Sequence, residues 1–264
     1  DLHTEVHSFP TRRSSDLQVS VKPSVAEAGP EEAPIPVTPF EVEAGTVHVV
    51  PYNDLPRLEQ LFAEHGSEVA CVFMEPVLEN IGIVVPDAGY LASVRALCDA
   101  NGALLVFDEV KTGLTAGPQG ASQRLGVIPD LVALAKSIGG GLPLAAFGGK
   151  ADVMACITDQ RMPHFGTYNG NPLVMAAAVA VDEIATEEAL AAAEALNVGA
   201  LEQMNAIIAE HDLPAHTVGF GVKGAVTWAP TPVRNYRDYK RTDFGVAELS
   251  WLWGVNRGIL TPPG

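Results

Sequence analysis

The sequence predicts an α/β fold: a mostly parallel sheet covered by helices, followed by part of a smaller α+β unit. Two observations predict it. Apolar runs alternate with helix-spaced segments along residues 45–190, and three of those runs stop abruptly at a charged residue. A continuous apolar run reads as a strand buried on both faces. Charge at its C-terminal end reads as chemistry, because open α/β sheets take ligands at the carboxyl ends of their strands.

In order along the chain, Asp1–Leu17 (DLHTEVHSFPTRRSSDL) resembles one reading frame of a short-read sequencing adapter. It has no apolar core of the signal-peptide kind and is set aside, so the natural sequence is expected to begin near Gln18. Residues 18–44, rich in Pro, Glu, Ala and Val, read as an irregular stub. Residues 45–190 read as the large domain and 191–264 as a small one, cut at Gly264. Thr46–Val50 reads as a short strand. Leu55, Leu58, Leu61 and Phe62 then give helical spacing behind a cap at Asn53 or Asp54. Val69–Met74 reads as a buried strand stopping at Glu75-Pro76. Pro86–Asn101 is expected as a helix with Leu91, Val94, Leu97 and Cys98 on one face and Gly102 as its C-terminal cap.

The pattern then repeats through strand Leu104–Val110, helix Ser122–Leu125 and strand Leu131–Lys136. Leu144–Gly148 reads as one more strand and Ala151–Ile157 as a short helix. Beyond Asn171-Pro172, helices are expected over Leu173–Thr186 and Glu187–Glu210. The last part reads as strands His216–Gly224 and Ala225–Ala229, a helix Asp243–Arg257, and a final strand from Gly258. Trp228, Trp251 and Trp253 read as core or interface residues.

Composition bounds the function. A net charge of −16 argues against nucleic acid and anionic membrane as partners. No apolar run approaches the roughly 20 residues that span a bilayer. Cys71, Cys98 and Cys156 show no metal-ligand spacing. They read as buried free thiols in a reducing cytoplasm, and no metal is expected.

The candidate chemistry centres on two strand ends. Leu104–Val106 and Phe107 run into Asp108, and Leu131–Ala135 runs into Lys136, which Gly139–Gly141 closely follow. A lysine at the end of an apolar strand is expected to be partly desolvated, which makes its amine the better nucleophile. Such a lysine can form a Schiff base with an aldehyde. Pyridoxal phosphate uses that linkage and needs an acid beside its ring nitrogen. A plain salt bridge between strand ends is the alternative. A second candidate is Gly166–Asn171, where Thr167 serves either an anion site before a helix N-terminus or simply the helix cap.

Phe107-Asp-Glu-Val110, Leu134-Ala-Lys-Ser-Ile-Gly-Gly-Gly-Leu-Pro143, Phe147-Gly-Gly149 and Gly166-Thr-Tyr-Asn-Gly-Asn-Pro172 together resemble the class III, fold-type-I pyridoxal-phosphate aminotransferases. Within that family the likeness is to the glutamate-1-semialdehyde aminomutases and their aminotransferase relatives. The resemblance implies that Lys136 holds pyridoxal phosphate and later moves the α-proton, that Asp108 pairs with the ring nitrogen, and that Val110 packs on a ring face. It implies that Thr167, with Gly166, meets the phosphate of the neighbouring subunit in a homodimer. Glu75 is implied near the cofactor hydroxyl or its support. Asn80 is either in the same pocket or a loop-capping amide, and Tyr168 and Asn169 are on the substrate side. The expected function is transfer of an amino group between small-molecule donor and acceptor, with intramolecular transfer as the alternative. An inactive fragment or structural module is the reading from another class. Two departures stand out. No glycine-rich phosphate loop is recognisable upstream, so the chain itself is expected to be an inactive piece of an enzyme. Lys111-Thr-Gly-Leu-Thr-Ala116 lacks the arginine that many relatives carry after the corresponding Thr-Gly.

Overall fold

The computed structural model describes Ser24, Ala26, Glu27, Gly29, Pro30 and residues 47–261. The expectations for residues 1–17, for most of 18–44, for Thr46 and for the last three residues lie outside these.

The main sheet has strands β1 (Cys71–Met74), β2 (Leu104–Asp108), β3 (Leu131–Ala135) and β4 (Ala145–Gly149), side by side in that order. β1, β2 and β3 run parallel, whereas β4 returns antiparallel to β3. Only the 136–144 segment separates β3 from β4, too short for the dozen or more residues that a parallel crossover needs.

Helices α1 (Leu55–His65) and α2 (Tyr90–Asn101) cover one face. Asp54 caps α1 by accepting the Arg57 N–H at 3.1 Å. Leu58 and Phe62 of α1, Tyr90, Leu91, Val94 and Cys98 of α2, and Leu105 and Phe107 of β2 form the principal core. Each such fully buried large apolar side chain contributes about 1.5–3 kcal/mol. The start of α2 differs from the sequence expectation. Gly89, at φ 81°, breaks the backbone just before Tyr90, so Pro86–Gly89 is a connection rather than the first turn. At the other end Gly102, at φ 70°, closes the helix as expected.

Helix α3 (Gly120–Leu125) connects β2 to β3, and α4 (Ala151–Thr158), α5 (Pro172–Ile184) and the long α6 (Glu187–Glu210) follow β4. A second sheet pairs β5 (His216–Phe220) antiparallel with β6 (Lys223–Thr227). The Asn197 amide of α6 donates to the carbonyls of Gly221 (3.1 Å) and Lys223 (2.8 Å), fixing the β5–β6 turn against that helix. Short α7 (Tyr236–Tyr239) and α8 (Phe244–Val255) complete the described chain.

Several expectations are corrected. Residues 47–50 form no strand, and neither do 259–261. Among the described residues β1 is covered on one face: Val72 and Met74 pack on the core, while Cys71 and Phe73 are exposed. Cys71 is therefore not a buried thiol, and Cys156 is half-buried; only Cys98 is buried. Leu249, Leu252 and Trp253 on α8 are exposed. Among the described residues no helix is long and apolar enough to cross a membrane.

Candidate active site

The parallel strands β1, β2 and β3 all point their carboxyl ends the same way, so Glu75, Asp108 and Lys136 emerge at one edge of the sheet. Asp108 lies opposite Ala133 in the β2–β3 register, and Lys136 follows directly after β3. Asp108 is 3% exposed, and its Oδ1 accepts the Val110 N–H at 3.0 Å. Val110 is buried as well.

The next residue is committed to structure. Glu109, 2% exposed, accepts from Thr112 Oγ1 (3.1 Å), Ala121 N (2.6 Å), Ser122 N (3.0 Å) and Ser122 Oγ. Ala121 and Ser122 stand at the start of α3, so the carboxylate meets the positive end of the helix as well as its unpaired N–H groups. The Asp-Glu dipeptide thus divides its work: Asp108 at the strand exit, Glu109 anchoring the loop behind it.

Lys136 opens a 3-10 turn, Lys136–Gly139, with φ at 54°. A left-handed backbone at a residue bearing a Cβ costs of order 1–3 kcal/mol and concentrates at functional positions. Its side chain is exposed, so the partial desolvation expected from the sequence is not supplied by the described residues.

After β1, Glu75 closes its own loop: Oε2 accepts the Glu79 N–H at 3.0 Å and Oε1 accepts Asn80 Nδ2 at 2.7 Å. Asn80 is thus held beside Glu75, the position that both its readings share. Tyr52 Oη donates to the Pro76 carbonyl at 2.7 Å, and burial pushes the Tyr52 phenol up, keeping it a donor. Gly166, Thr167, Tyr168 and Asn169 are not on these strand ends. They lie exposed in the connection between α4 and α5. The cap of α5 is Asn171, whose Oδ1 accepts from Leu173 N (3.0 Å) and Val174 N (3.4 Å), so the Thr167 hydroxyl is not spent on that task.

Sequence reasoning missed Glu79, Lys111 and Lys223. Lys111 Nζ donates to the Glu79 carbonyl, and Lys223 Nζ reaches both Glu79 Oε2 (2.5 Å) and the Lys111 carbonyl (3.0 Å). No local pattern signals partners so far apart in the chain. For Glu109 the signal was its position between a strand end and a small-residue helix start.

A buried carboxylate and a lysine amine on neighbouring strand exits fit a group that offers an aldehyde to the amine and a protonated ring nitrogen to the acid. At the opposite edge, Asp130 precedes β3 and accepts from Leu105 N (2.6 Å), Arg95 (2.7 Å) and Lys150 (2.7 Å). Burial alone would raise this carboxyl; the Lys150, Leu105 and Arg95 hydrogen bonds outweigh it and hold its pKa at about 2.

Known proteins resemble this chain in sequence and in fold. The family model described as Aminotransferase class-III matches residues 20–240. A glutamate-1-semialdehyde 2,1-aminomutase of Nitratidesulfovibrio vulgaris is 39% identical over 227 residues, which are 84% of this chain and 53% of that protein. Among solved structures, a β-phenylalanine aminotransferase from Variovorax paradoxus superposes with TM-score 0.78 at 34% identity, covering 87% of this chain and 53% of its own. A glutamate-1-semialdehyde-aminomutase (K286A) from Pseudomonas aeruginosa PAO1 in complex with PMP gives 0.77 at 28% identity, covering 87% and 54%. The chain spans about half the length of the curated relatives it matches.

Proposed function

The chain belongs to the class-III aminotransferase family, and on that premise we propose that it is part of a pyridoxal-phosphate-dependent aminotransferase acting on an amino acid or an amino-aldehyde or keto substrate. One observation carries the proposal. Asp108, buried at the exit of β2, neighbours a strand whose own exit places Lys136 on a left-handed backbone.

Pyridoxal phosphate, when bound, supplies an electron sink that stabilises negative charge on a substrate carbon. This chain's residues do the rest. Lys136 Nζ would hold the aldehyde carbon and, once released, carry the proton to and from the substrate α-carbon. Asp108 would keep a proton on the ring nitrogen, since a buried carboxylate facing a pyridine favours the charged ring. Val110 would pack on one ring face, and Glu75 with its bound Asn80 would support the cofactor's hydroxyl side. Thr167 and Gly166, exposed and not needed for the α5 cap, would meet the phosphate of the neighbouring subunit of a homodimer, with Tyr168 and Asn169 towards the substrate. We place the protein in the cytoplasm, in keeping with its free cysteines. We take 45–190 as the large domain and 191–264 as the small one, in keeping with the separate second sheet.

Intramolecular amino transfer is the second reading, favoured by the 39% identity to an aminomutase. Intermolecular transfer is favoured by the 34% identity to an aminotransferase and by the lack of arginine in 111–116. Titrating pyridoxal phosphate into the full-length protein tests the common core. A visible absorption band should saturate at one cofactor per chain and be lost in Lys136→Ala; a Lys136→Ala protein with the same band would reject the proposal. Amino transfer to an added keto acid, rather than within a single amino-aldehyde, then separates the two readings.

A further inference from the structure

The two loops that leave β1 and β2 are tied together by an element from the far end of the chain. The β5–β6 turn seats on the segment after Asp108. Gly221 lies at φ 60°, and a Cβ there would come within 2.1 Å of the Thr115 carbonyl oxygen, so only glycine allows the approach. Val222 N–H then donates to that same carbonyl at 2.9 Å. Next in the chain, the Lys223 ammonium bridges the two loops. It donates to Glu79 Oε2, on the β1 loop, at 2.5 Å, and to the Lys111 carbonyl, on the β2 loop, at 3.0 Å.

The Glu79 side chain is 3% exposed and its other oxygen has no hydrogen-bond partner, so its charge is compensated through Lys223. The Glu79 backbone is fixed from both sides. Its N–H donates to Glu75 and its carbonyl accepts from Lys111 Nζ. A continuous chain of hydrogen bonds therefore runs from Glu75 through Glu79 and Lys223 to Lys111, one residue beyond the Val110 that donates to Asp108.

We propose that Lys223 is a positioning residue, the clamp by which the β5–β6 hairpin sets the β1 and β2 loops in register around the cofactor pocket. The proposal rests on the reading of Asp108 given above and deepens it. Buried charge-assisted hydrogen bonds are short and directional, and they suit the task of fixing a second layer beneath ligand-contacting residues.

The test uses the full-length protein in three forms: Lys223→Met, Lys223→Arg, and Lys223→Met combined with Glu79→Gln. Amide hydrogen exchange in the absence of cofactor reads the clamp itself. Pyridoxal phosphate affinity reads its consequence, and thermal midpoint reads bulk stability. Lys223→Met should speed exchange at residues 110–116 and 222 while α1 and α2 stay protected. It should also weaken cofactor binding by about 10-fold, the lower end of what losing such supporting partners costs. Lys223→Arg should recover most of both.

The double variant is decisive because it removes the charge left stranded on Glu79. Its thermal midpoint should recover towards wild type while cofactor affinity stays low, since the Lys111 carbonyl keeps its local bond from Thr115 Oγ1 but has lost its tie to the β5–β6 hairpin. Recovery of affinity together with stability would make Lys223 a mere counter-ion and overturn the proposal. Unchanged exchange at 110–116, or unchanged affinity, in Lys223→Met would overturn it too. If wild type bound no cofactor, the reading of Asp108 and Lys136 would fall, and the exchange result would still decide whether the clamp exists.

Discussion

Two buried aspartates sit at opposite edges of the same sheet. Asp130, at the entry of β3, is saturated by an arginine, a lysine and a backbone N–H, and these tie α2, β2 and the end of β4 to one carboxylate. Asp108, at the exit of β2, accepts the Val110 N–H on its own loop, with a strained lysine following the next strand. The entry edge invests its charge in holding strands together. The exit edge puts an acid and a lysine at the ends of neighbouring strands, the edge at which open α/β sheets take their ligands.

This difference can be broken or sharpened by substitution. Asp108→Asn keeps size and hydrogen bonding but removes the charge. Turnover in the full-length protein should fall by on the order of 10³-fold, with the urea midpoint nearly unmoved. Near-normal kcat would remove Asp108 from the chemistry.

Asp130→Ala should do the reverse. It should cost about 3 kcal/mol in urea unfolding, as expected for breaking a buried ion pair, and leave the cofactor spectrum of the folded fraction unchanged. Its pH dependence follows from the sign of the shift. The folded pKa, at about 2, lies below the ordinary 3.8, so the stabilisation is complete above the ordinary value and is lost as pH falls through about 2. Acid unfolding curves of wild type and Asp130→Asn should therefore converge across that window. Curves that stayed parallel would show that Asp130 gains nothing from its cations.

A smaller effect belongs to Glu109. Glu109→Gln should lower stability by about 1–2 kcal/mol through weaker bonds to the start of α3, with cofactor affinity moving only slightly. A collapse of cofactor binding there would mean that the two neighbours do not divide their work.

Much of the exit edge was legible in the sequence, because an apolar run stopping at Glu75, Asp108 or Lys136 is a local pattern. The same holds for the α1 cap, expected at Asn53 or Asp54 and found at Asp54, and for the helix start at Glu187; Thr186, expected as the end of the preceding helix, is instead the cap of α6. The antiparallel direction of β4 was not read from the sequence: the apolar run Leu144–Gly148 gives a strand without a direction, and the short 136–144 connection sets it in the fold. Other features left no local trace. Gly89 displaced the start of α2 past Pro86 through a single positive φ. One-sided burial of β1, which exposes Cys71 and Phe73, depends on what packs against the sheet. The Glu79–Lys223 pair joins residues 144 positions apart, and only the folded chain brings them together.

The most direct measurement is to reduce the full-length protein with borohydride in the presence of pyridoxal phosphate and map the fixed label by peptide mass spectrometry. The account predicts a single labelled peptide, the one containing Lys136. Label on Lys111, Lys150 or Lys223 instead, with Lys136 unmodified, would contradict it.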